Sequence, residues 1–222
     1  DLAGARETAA RIAGESDRDG ALTGPTWSYA SAGNDAGLRE VLATLATKEV
    51  RESVQVGLAQ ALAKRGDRVA SAQVAAALSP TAYGRNDAYH ALALAHAKAG
   101  DLPAARAAAA EIRGTIHGAD LFVAVASAGD PAWAEQNLRL IYESSREQVR
   151  GQVAGVRAAG GDVAGATRIL STIVNLEGRA AVCEGMAAGG DVRAASDCAA
   201  RLPTHALRVP VMLRLAQALT ER

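Results

Sequence analysis

The chain has few aromatic residues and no excess of either charge. Its 222 residues include one Phe, two Trp and four Tyr, and 24 basic side chains balance 24 acidic ones. A core of this composition must be filled by small and aliphatic side chains, which suits closely packed helices. The balanced charge argues against a nucleic-acid scaffold, because such proteins carry a clustered basic face. The chain has no apolar run of about 18 residues, so we expect no membrane-spanning helix.

Cysteine is also scarce, with Cys183 and Cys198 alone in the chain. Two cysteines are too few for a disulfide framework, so we expect two small core side chains, although paired helices could bring them close enough to bond. So low a cysteine content favours a cytoplasmic location. The chain does not begin with Met. We therefore expect a fragment of a longer array, and a signal peptide upstream stays open.

A glycine followed by Asp or Asn recurs along the chain at nearly constant spacing. Counted from Asp1, the steps between successive Asp or Asn residues are 33, 33, 34, 29, 32 and 29. A fixed period of this size indicates a stacked repeat array. The pairs are Gly33-Asn34, Gly66-Asp67, Gly100-Asp101, Gly129-Asp130, Gly161-Asp162 and Gly190-Asp191.

The residues around each pair repeat as well, and they predict two helices per unit. Positions 4, 8 and 11 after the Asp or Asn are small or apolar and lie on one stripe of a helix. The third of these positions is always Leu or Ile: Ile12, Leu45, Leu78, Ile112, Ile141, Ile173 and Leu202. The glycine can end a preceding helix in the left-handed conformation, and the Asp or Asn can cap the next one.

Each unit is therefore predicted to be a helix A, a tight turn and a helix B. A single pair cannot bury its apolar stripe alone, so neighbouring pairs must stack into a solenoid. We predict an all-α fold with seven B helices and six or seven A helices, forming one domain over residues 1–222 with a polar loop at 14–25. The glycines are interpreted as turn glycines, one in each unit.

Helix–turn–helix units of this length, with Gly-Asp in the turn, resemble tetratricopeptide repeats over nearly the whole chain. The two most similar stretches are LAQALAKRGDRVASAQVAAAL and LALAHAKAGDLPAARAAAAEI, at 58–78 and 92–112. At the family's usual Trp position stand Gln55, Tyr89 and Arg150. The resemblance implies a right-handed α-solenoid that acts as a protein- or peptide-binding scaffold or sensor within a larger protein.

In this family the concave face carries helix A residues about seven and three positions before the turn Asp. The resemblance therefore implies a partner-binding set, mostly in the N-terminal half: Trp27, Gln60, Lys64, Leu94, Lys98, Val123 and Ser127. Lys64 and Lys98 could contact an acidic or C-terminal group of the partner. They could equally be solvated lysines that favour the negative end of the helix dipole.

Motifs for catalysis, a cofactor or a metal are not evident. Zinc-ligand spacing and a phosphate-binding glycine loop are both missing. Residues 15–26 resemble the start of a calcium-binding loop, but Thr26 stands where the final Glu belongs; we favour a connecting loop, and calcium binding stays open. His96 is expected to be half-buried and satisfied. We expect no enzyme and no cofactor, with protein or peptide partners rather than nucleic acid or membrane. The alternatives are a helical-repeat enzyme and a helical-repeat nucleic-acid-binding module.

Overall fold

The computed structural model describes residues 2–32, 34–116 and 118–220. Within these ranges the protein is all-helical, as predicted, with fourteen α-helices and one short 3₁₀ turn. Contacts divide the chain into two compact units: unit 1 ends at Arg113, and unit 2 begins at Gly114. No helix in the described ranges is long and apolar enough to cross a bilayer.

Unit 1 contains seven helices, in which odd-numbered helices are B helices and even-numbered ones are A helices. They are α1 (Leu2–Ala10), α2 (Glu15–Ala32), α3 (Asp35–Leu42), α4 (Lys48–Arg65), α5 (Arg68–Ala76), α6 (Arg85–Lys98) and α7 (Leu102–Ala110). Each A helix contacts the B helix on either side of it, and α4 also contacts both neighbouring A helices.

Unit 2 continues the same alternation. Its helices are α8 (Ala119–Ser127), α9 (Pro131–Gln136), α10 (Glu143–Ala159), α11 (Val163–Leu170), α12 (Leu176–Ala188), α13 (Val192–Ala200) and α14 (His205–Thr220), with a 3₁₀ turn at Leu138–Leu140 after α9. Helix α10 contacts α8, α9, α11 and α12, which repeats the scheme around α4. The described residues thus contain seven A helices and seven B helices, in agreement with the sequence pattern.

The Gly-Asp turns have the predicted geometry. The glycine φ angles lie between 76° and 110° at Gly66, Gly100, Gly129, Gly161 and Gly190, a region that L side chains rarely adopt. Each following Asp accepts a bond from the backbone N–H three residues later, at 2.8–3.2 Å. Asn34 caps α3 in the same way at 3.0 Å, while Gly33 lies outside the described residues. These turns therefore satisfy donors at the start of each B helix.

The B helices are shorter than the apolar stripe predicts. The Leu or Ile at the third stripe position lies past the last helical residue in every unit. In six of the seven helix pairs its N–H nevertheless bonds to the carbonyl three residues earlier, as in Leu78 to Ala75 and Ile112 to Ala109. Both side chains are buried. A final tight turn, rather than a continuing helix, therefore places this side chain in the core.

Glycines hold α10 and α12 very close together. A Cβ atom on Gly185 would lie 2.0 Å from the carbonyl oxygen of Gly155, and one on Gly155 would lie 2.4 Å from that of Ala181. A Cβ atom on Gly151 would lie 2.2 Å from the carbonyl oxygen of Gly178. Any side chain at these sites would meet backbone atoms, which cannot rotate away. The interpretation of the glycines as turn residues only, one in each unit, is therefore wrong.

The two cysteines form a disulfide between α12 and α13. The Cα atoms of Cys183 and Cys198 are 5.5 Å apart, and both side chains are buried. They lie eight residues before and seven residues after Asp191, positions that an antiparallel hairpin places opposite each other. The expectation of two unbonded core side chains is wrong.

Polar side chains of A helices form hydrogen bonds with the loops between successive helix pairs. Asp19 of α2 is buried, and its Oδ2 accepts bonds from the N–H groups of Ala46 at 3.0 Å and Thr47 at 2.6 Å. Glu147 of α10 accepts from the N–H of Asn175 at 2.9 Å. Arg85 of α6 donates to the carbonyl of Glu111 at 2.8 Å. Each bond spans 26 to 28 residues. In each case the A helix side chain holds the loop that follows the next B helix along the chain.

Residues 15–26 form the first part of α2, so the predicted polar loop at 14–25 is wrong. Asp19, the third acidic residue of the calcium-like pattern, is directed at backbone N–H groups instead of a cation loop. Burial alone would raise the pKa of Asp19. Hydrogen bonds from the backbone and side chain of Thr47 and from the backbone of Ala46, together with the charge of Arg18, outweigh it and lower the pKa below its usual 3.8.

Replacing Asp19 by Ala is expected to lower the free energy of unfolding by about 1–3 kcal/mol, because two N–H groups lose a charged acceptor. A lowered folded-state pKa means that the contribution of Asp19 is present above pH 3.8 and is lost as the pH falls below that value. Urea unfolding across this range should therefore be less pH-dependent in Asp19→Asn than in the unmodified protein. Identical pH profiles would contradict the role of this carboxylate.

Candidate functional site

Four of the predicted binding residues lie on two contacting A helices of unit 1. Gln60 and Lys64 are on α4, and Leu94 and Lys98 are on α6. Gln60 and Leu94 are half-buried, whereas both lysines are exposed at the C-terminal ends of their helices. Among the described residues neither lysine forms an ion pair. Both ammonium groups are therefore available to an acidic ligand, and their placement also suits the helix dipole.

The other three predicted residues lie on two further A helices, α2 and α8. Val123 is half-buried and Ser127 is exposed, both on α8 of unit 2. The backbone of Trp27 is part of α2, but its side chain is not among the described parts of the structure. The binding role of all seven residues stays a prediction.

Metal chemistry has no evident place in the part of the chain that the structure describes. Within it, no three His, Cys, Asp or Glu side chains are grouped so that they could hold a metal ion. His96 is half-buried, and its Nδ1 lies 3.2 Å from Oδ2 of Asp101. This confirms the expectation of a satisfied histidine, whose partner also caps the following helix.

Equivalent surface grooves occur in both units, each lined by an A helix and the B helices before and after it. The first groove, about 310 Å³ in volume, is lined by α3, α4 and α5 with Ala77, the residue after α5: Arg39, Leu42, Gln55, Leu58, Gln73, Val74 and Ala77. The second groove, about 440 Å³, is lined by α9, α10 and α11 with Thr172, the second residue after α11: Glu135, Arg150, Arg157, Gly165, Arg168, Ile169 and Thr172.

The repeat aligns five of the seven lining positions of the two grooves. Gln55 and Arg150 both stand 12 residues before the turn Asp, and Gln73 and Arg168 both stand 6 residues after it. The same count aligns Arg39 with Glu135, each 5 residues after its own turn residue. The packing scheme is thus constant, while the charge of the groove changes from one unit to the other.

Arg157 organises the second groove. Its guanidinium donates to Glu135 Oε1 at 2.8 Å and to Asp162 Oδ2 at 2.9 Å, joining α9, α10 and the cap of α11. The bond to Glu135 is the main reason that the pKa of Arg157 is raised. The N–H of Gly165 and then the Arg157 guanidinium hold the pKa of Asp162 below its usual range. Arg157 therefore stays charged and is committed to two acids of its own chain.

Arg150 and Arg168 are different, because neither forms an ion pair with another described residue; Arg168 only adds an attraction that helps to lower the pKa of Asp162, after Gly165 and Arg157. Both are exposed, and among the described residues neither guanidinium has a hydrogen-bonding or ion-pair partner. In the sequence, Arg150 is notable only as a departure from the family pattern, and Arg168 was not predicted as a site residue. The signal that could have identified them is the comparison of equivalent repeat positions, where unit 1 has Gln55 and Gln73.

Comparison of the chain with protein-family models, with curated proteins and with solved structures finds no match.

Proposed function

We propose that this protein is a non-catalytic scaffold or sensor module, part of a larger protein, that binds a protein or peptide. The proposal rests on one observation: the helix pairs pack in the same way in both units, whereas the side chains that line the two grooves differ. Caps, turn glycines and buried positions recur from one helix pair to the next. The groove of unit 1 has Gln55 and Gln73 where the groove of unit 2 has Arg150 and Arg168. A repeat array that keeps its packing and varies its grooves is suited to recognising different parts of an extended partner.

The proposed architecture is a right-handed α-solenoid of about six or seven stacked helix pairs related to tetratricopeptide repeats. The contacts of α4 and α10 with both neighbouring A helices support stacking within each unit. Such stacking leaves one row of A helices and one row of B helices, and each row presents side chains from several units to a partner. Protein or peptide partners are proposed, rather than nucleic acid or membrane.

The cytoplasmic location is expected because two cysteines do not make a disulfide framework, but these two do form a bond, between Cys183 and Cys198. A persistent disulfide between buried cysteines fits an oxidising compartment better, because cytosolic thiols are kept reduced. We therefore propose that the protein works in an oxidising compartment.

Lys64 and Lys98 provide the test of the proposed binding function. Peptides with free C-termini would be selected from a displayed random library against the full chain. Affinity for the selected peptides should fall about tenfold or more in the Lys64→Glu/Lys98→Glu double variant, because two attractive charges become repulsive. Fluorescence anisotropy with a labelled selected peptide measures this change.

The control is Arg193→Glu/Arg201→Glu, which makes the same change in net charge at two exposed positions near α13. Peptide affinity should be within about twofold of the unmodified protein in this control. Failure to enrich any peptide would contradict the scaffold function. Equal affinity of both double variants would remove Lys64 and Lys98 from the binding site.

A further inference from the structure

The second groove carries a positive charge that the fold does not require. At the equivalent positions of the first groove, neutral Gln55 and Gln73 serve in the same packing scheme. Arg150 and Arg168 therefore are not needed to hold an A helix between two B helices. Both side chains are exposed, and an exposed arginine that forms no ion pair contributes little to stability. Their placement in one groove points to a ligand.

We propose that the second groove binds an acidic segment of a partner protein, with Arg150 and Arg168 as the groups that recognise its carboxylates. This rests on the proposed function as a protein- or peptide-binding scaffold. The guanidinium group suits the role, because its donors match both oxygens of a carboxylate and it keeps its charge at all working pH values.

The rest of the groove limits where the acidic side chains can lie. Arg157 is bound by Glu135 and Asp162, so its charge is offset by two carboxylates. Glu135 repels acids at the α9 side of the groove. An acidic segment is therefore attracted to the Arg150 and Arg168 side, where half-buried Ile169 and exposed Thr172 complete the lining.

An extended peptide segment fits this groove better than a small metabolite or a nucleic acid. The groove lies at the surface, and its two unpaired arginines are exposed, whereas small-molecule sites bury most of the ligand. Nucleic acid needs a larger basic surface that neutralises several phosphates. The chain has a net charge of +0, and acids lie beside the arginines in this groove.

The experiment uses the full chain and a fluorescein-labelled peptide of alternating Glu and Ala residues. Anisotropy should show binding at low ionic strength that weakens as salt is added, because exposed charges are screened over about 10 Å at 0.1 M. The Arg150→Gln/Arg168→Gln variant should bind the peptide about tenfold more weakly or worse. Gln is the residue found at both equivalent positions of unit 1, so this variant is expected to fold and melt normally.

Arg193→Gln/Arg201→Gln is the matched control, because it removes the same two charges at exposed positions outside the groove. It should leave the affinity for the Glu-Ala peptide within about twofold. A peptide with Gln in place of every Glu should not bind. The reciprocal variant Gln55→Arg/Gln73→Arg should strengthen binding, because it places the two charges in the first groove.

Equal affinity of the Arg150→Gln/Arg168→Gln variant and the unmodified protein would overturn the proposal. So would tighter binding of a single-stranded oligonucleotide than of the Glu-Ala peptide, or displacement of that peptide by an equal concentration of inorganic phosphate. If the unmodified protein does not bind the Glu-Ala peptide, the groove proposal is wrong. The scaffold function is tested separately, by the selection of peptides from the random library. Loss of all peptide binding in Lys64→Glu/Lys98→Glu alone would assign the acidic segment to unit 1 instead.

Discussion

Replacing Gly185 by Ala is expected to lower the free energy of unfolding by about 2 kcal/mol or more. The added Cβ would lie 2.0 Å from the Gly155 carbonyl oxygen and 2.5 Å from the Gly155 Cα. Both atoms belong to the backbone of α10, so no side chain can rotate away and the two helices must move apart. Ala itself favours a helix over Gly by about 0.5–1 kcal/mol, and the clash must exceed this gain. Denaturant unfolding followed by far-UV circular dichroism measures the difference.

Gly20→Ala is the matched control for this substitution. Gly20 lies inside α2, and a Cβ there would have no atom within 4 Å. This variant should be as stable as the unmodified protein or more stable, because only the helix preference changes. A gain in stability in both variants would contradict the close packing of α10 against α12.

Reduction of the disulfide between Cys183 and Cys198 is expected to lower the stability of the protein by about 3 kcal/mol. The bond links residues 15 apart in sequence, and closing a loop of that length restricts the unfolded chain. Both cysteines are buried, so reduction should require partial opening of α12 and α13. Thermal melting with and without a thiol reductant measures the effect, and the protein without reductant should melt at the higher temperature.

The Cys183→Ala/Cys198→Ala variant shows whether this effect belongs to the disulfide. Its melting temperature should not respond to the reductant, because no bond remains to be broken. The same decrease in the variant as in the unmodified protein would show that the reductant acts elsewhere. An unchanged melting temperature of the unmodified protein on reduction would contradict a stabilising bond.

The repeat could be predicted from the sequence because its signals are local. A glycine with positive φ and an Asp that caps three residues ahead depend on a few adjacent residues, and the described turns follow this pattern. The buried Leu or Ile of the third stripe position was also predictable. The sequence did not predict that helix B ends before that residue. A tight turn and a further helical turn bury the same side chain, so the apolar pattern does not distinguish them.

Contacts between helices were harder to predict, because they depend on pairs of residues that are distant in sequence. Gly151 and Gly155 are four residues apart on one face of α10, and Gly178 and Gly185 are seven apart on α12. The spacing is visible in the sequence, but only the structure identifies the facing helix. Asp19 is a similar case: acidic neighbours suggest a cation site, whereas the structure directs its carboxylate to the N–H groups of Ala46 and Thr47.

The candidate sites were the least predictable part. The resemblance to tetratricopeptide repeats directed attention to A helix positions such as Lys64 and Lys98, which are exposed in the structure. Arg150 and Arg168 belong to different helices, and their common groove becomes visible only when α10 packs against α11. A charge pattern that is spread over three helices has no local signature in the sequence.

The packing of one A helix directly on the next is tested most directly by NMR on the full chain with labelled glycine. The close approach of α10 and α12 predicts NOE cross-peaks between the Hα atoms of Gly155 and Gly185, and between those of Gly151 and Gly178. Absence of both cross-peaks, in spectra that show the sequential helical NOEs of α10 and α12, would contradict the stacking of helix pairs.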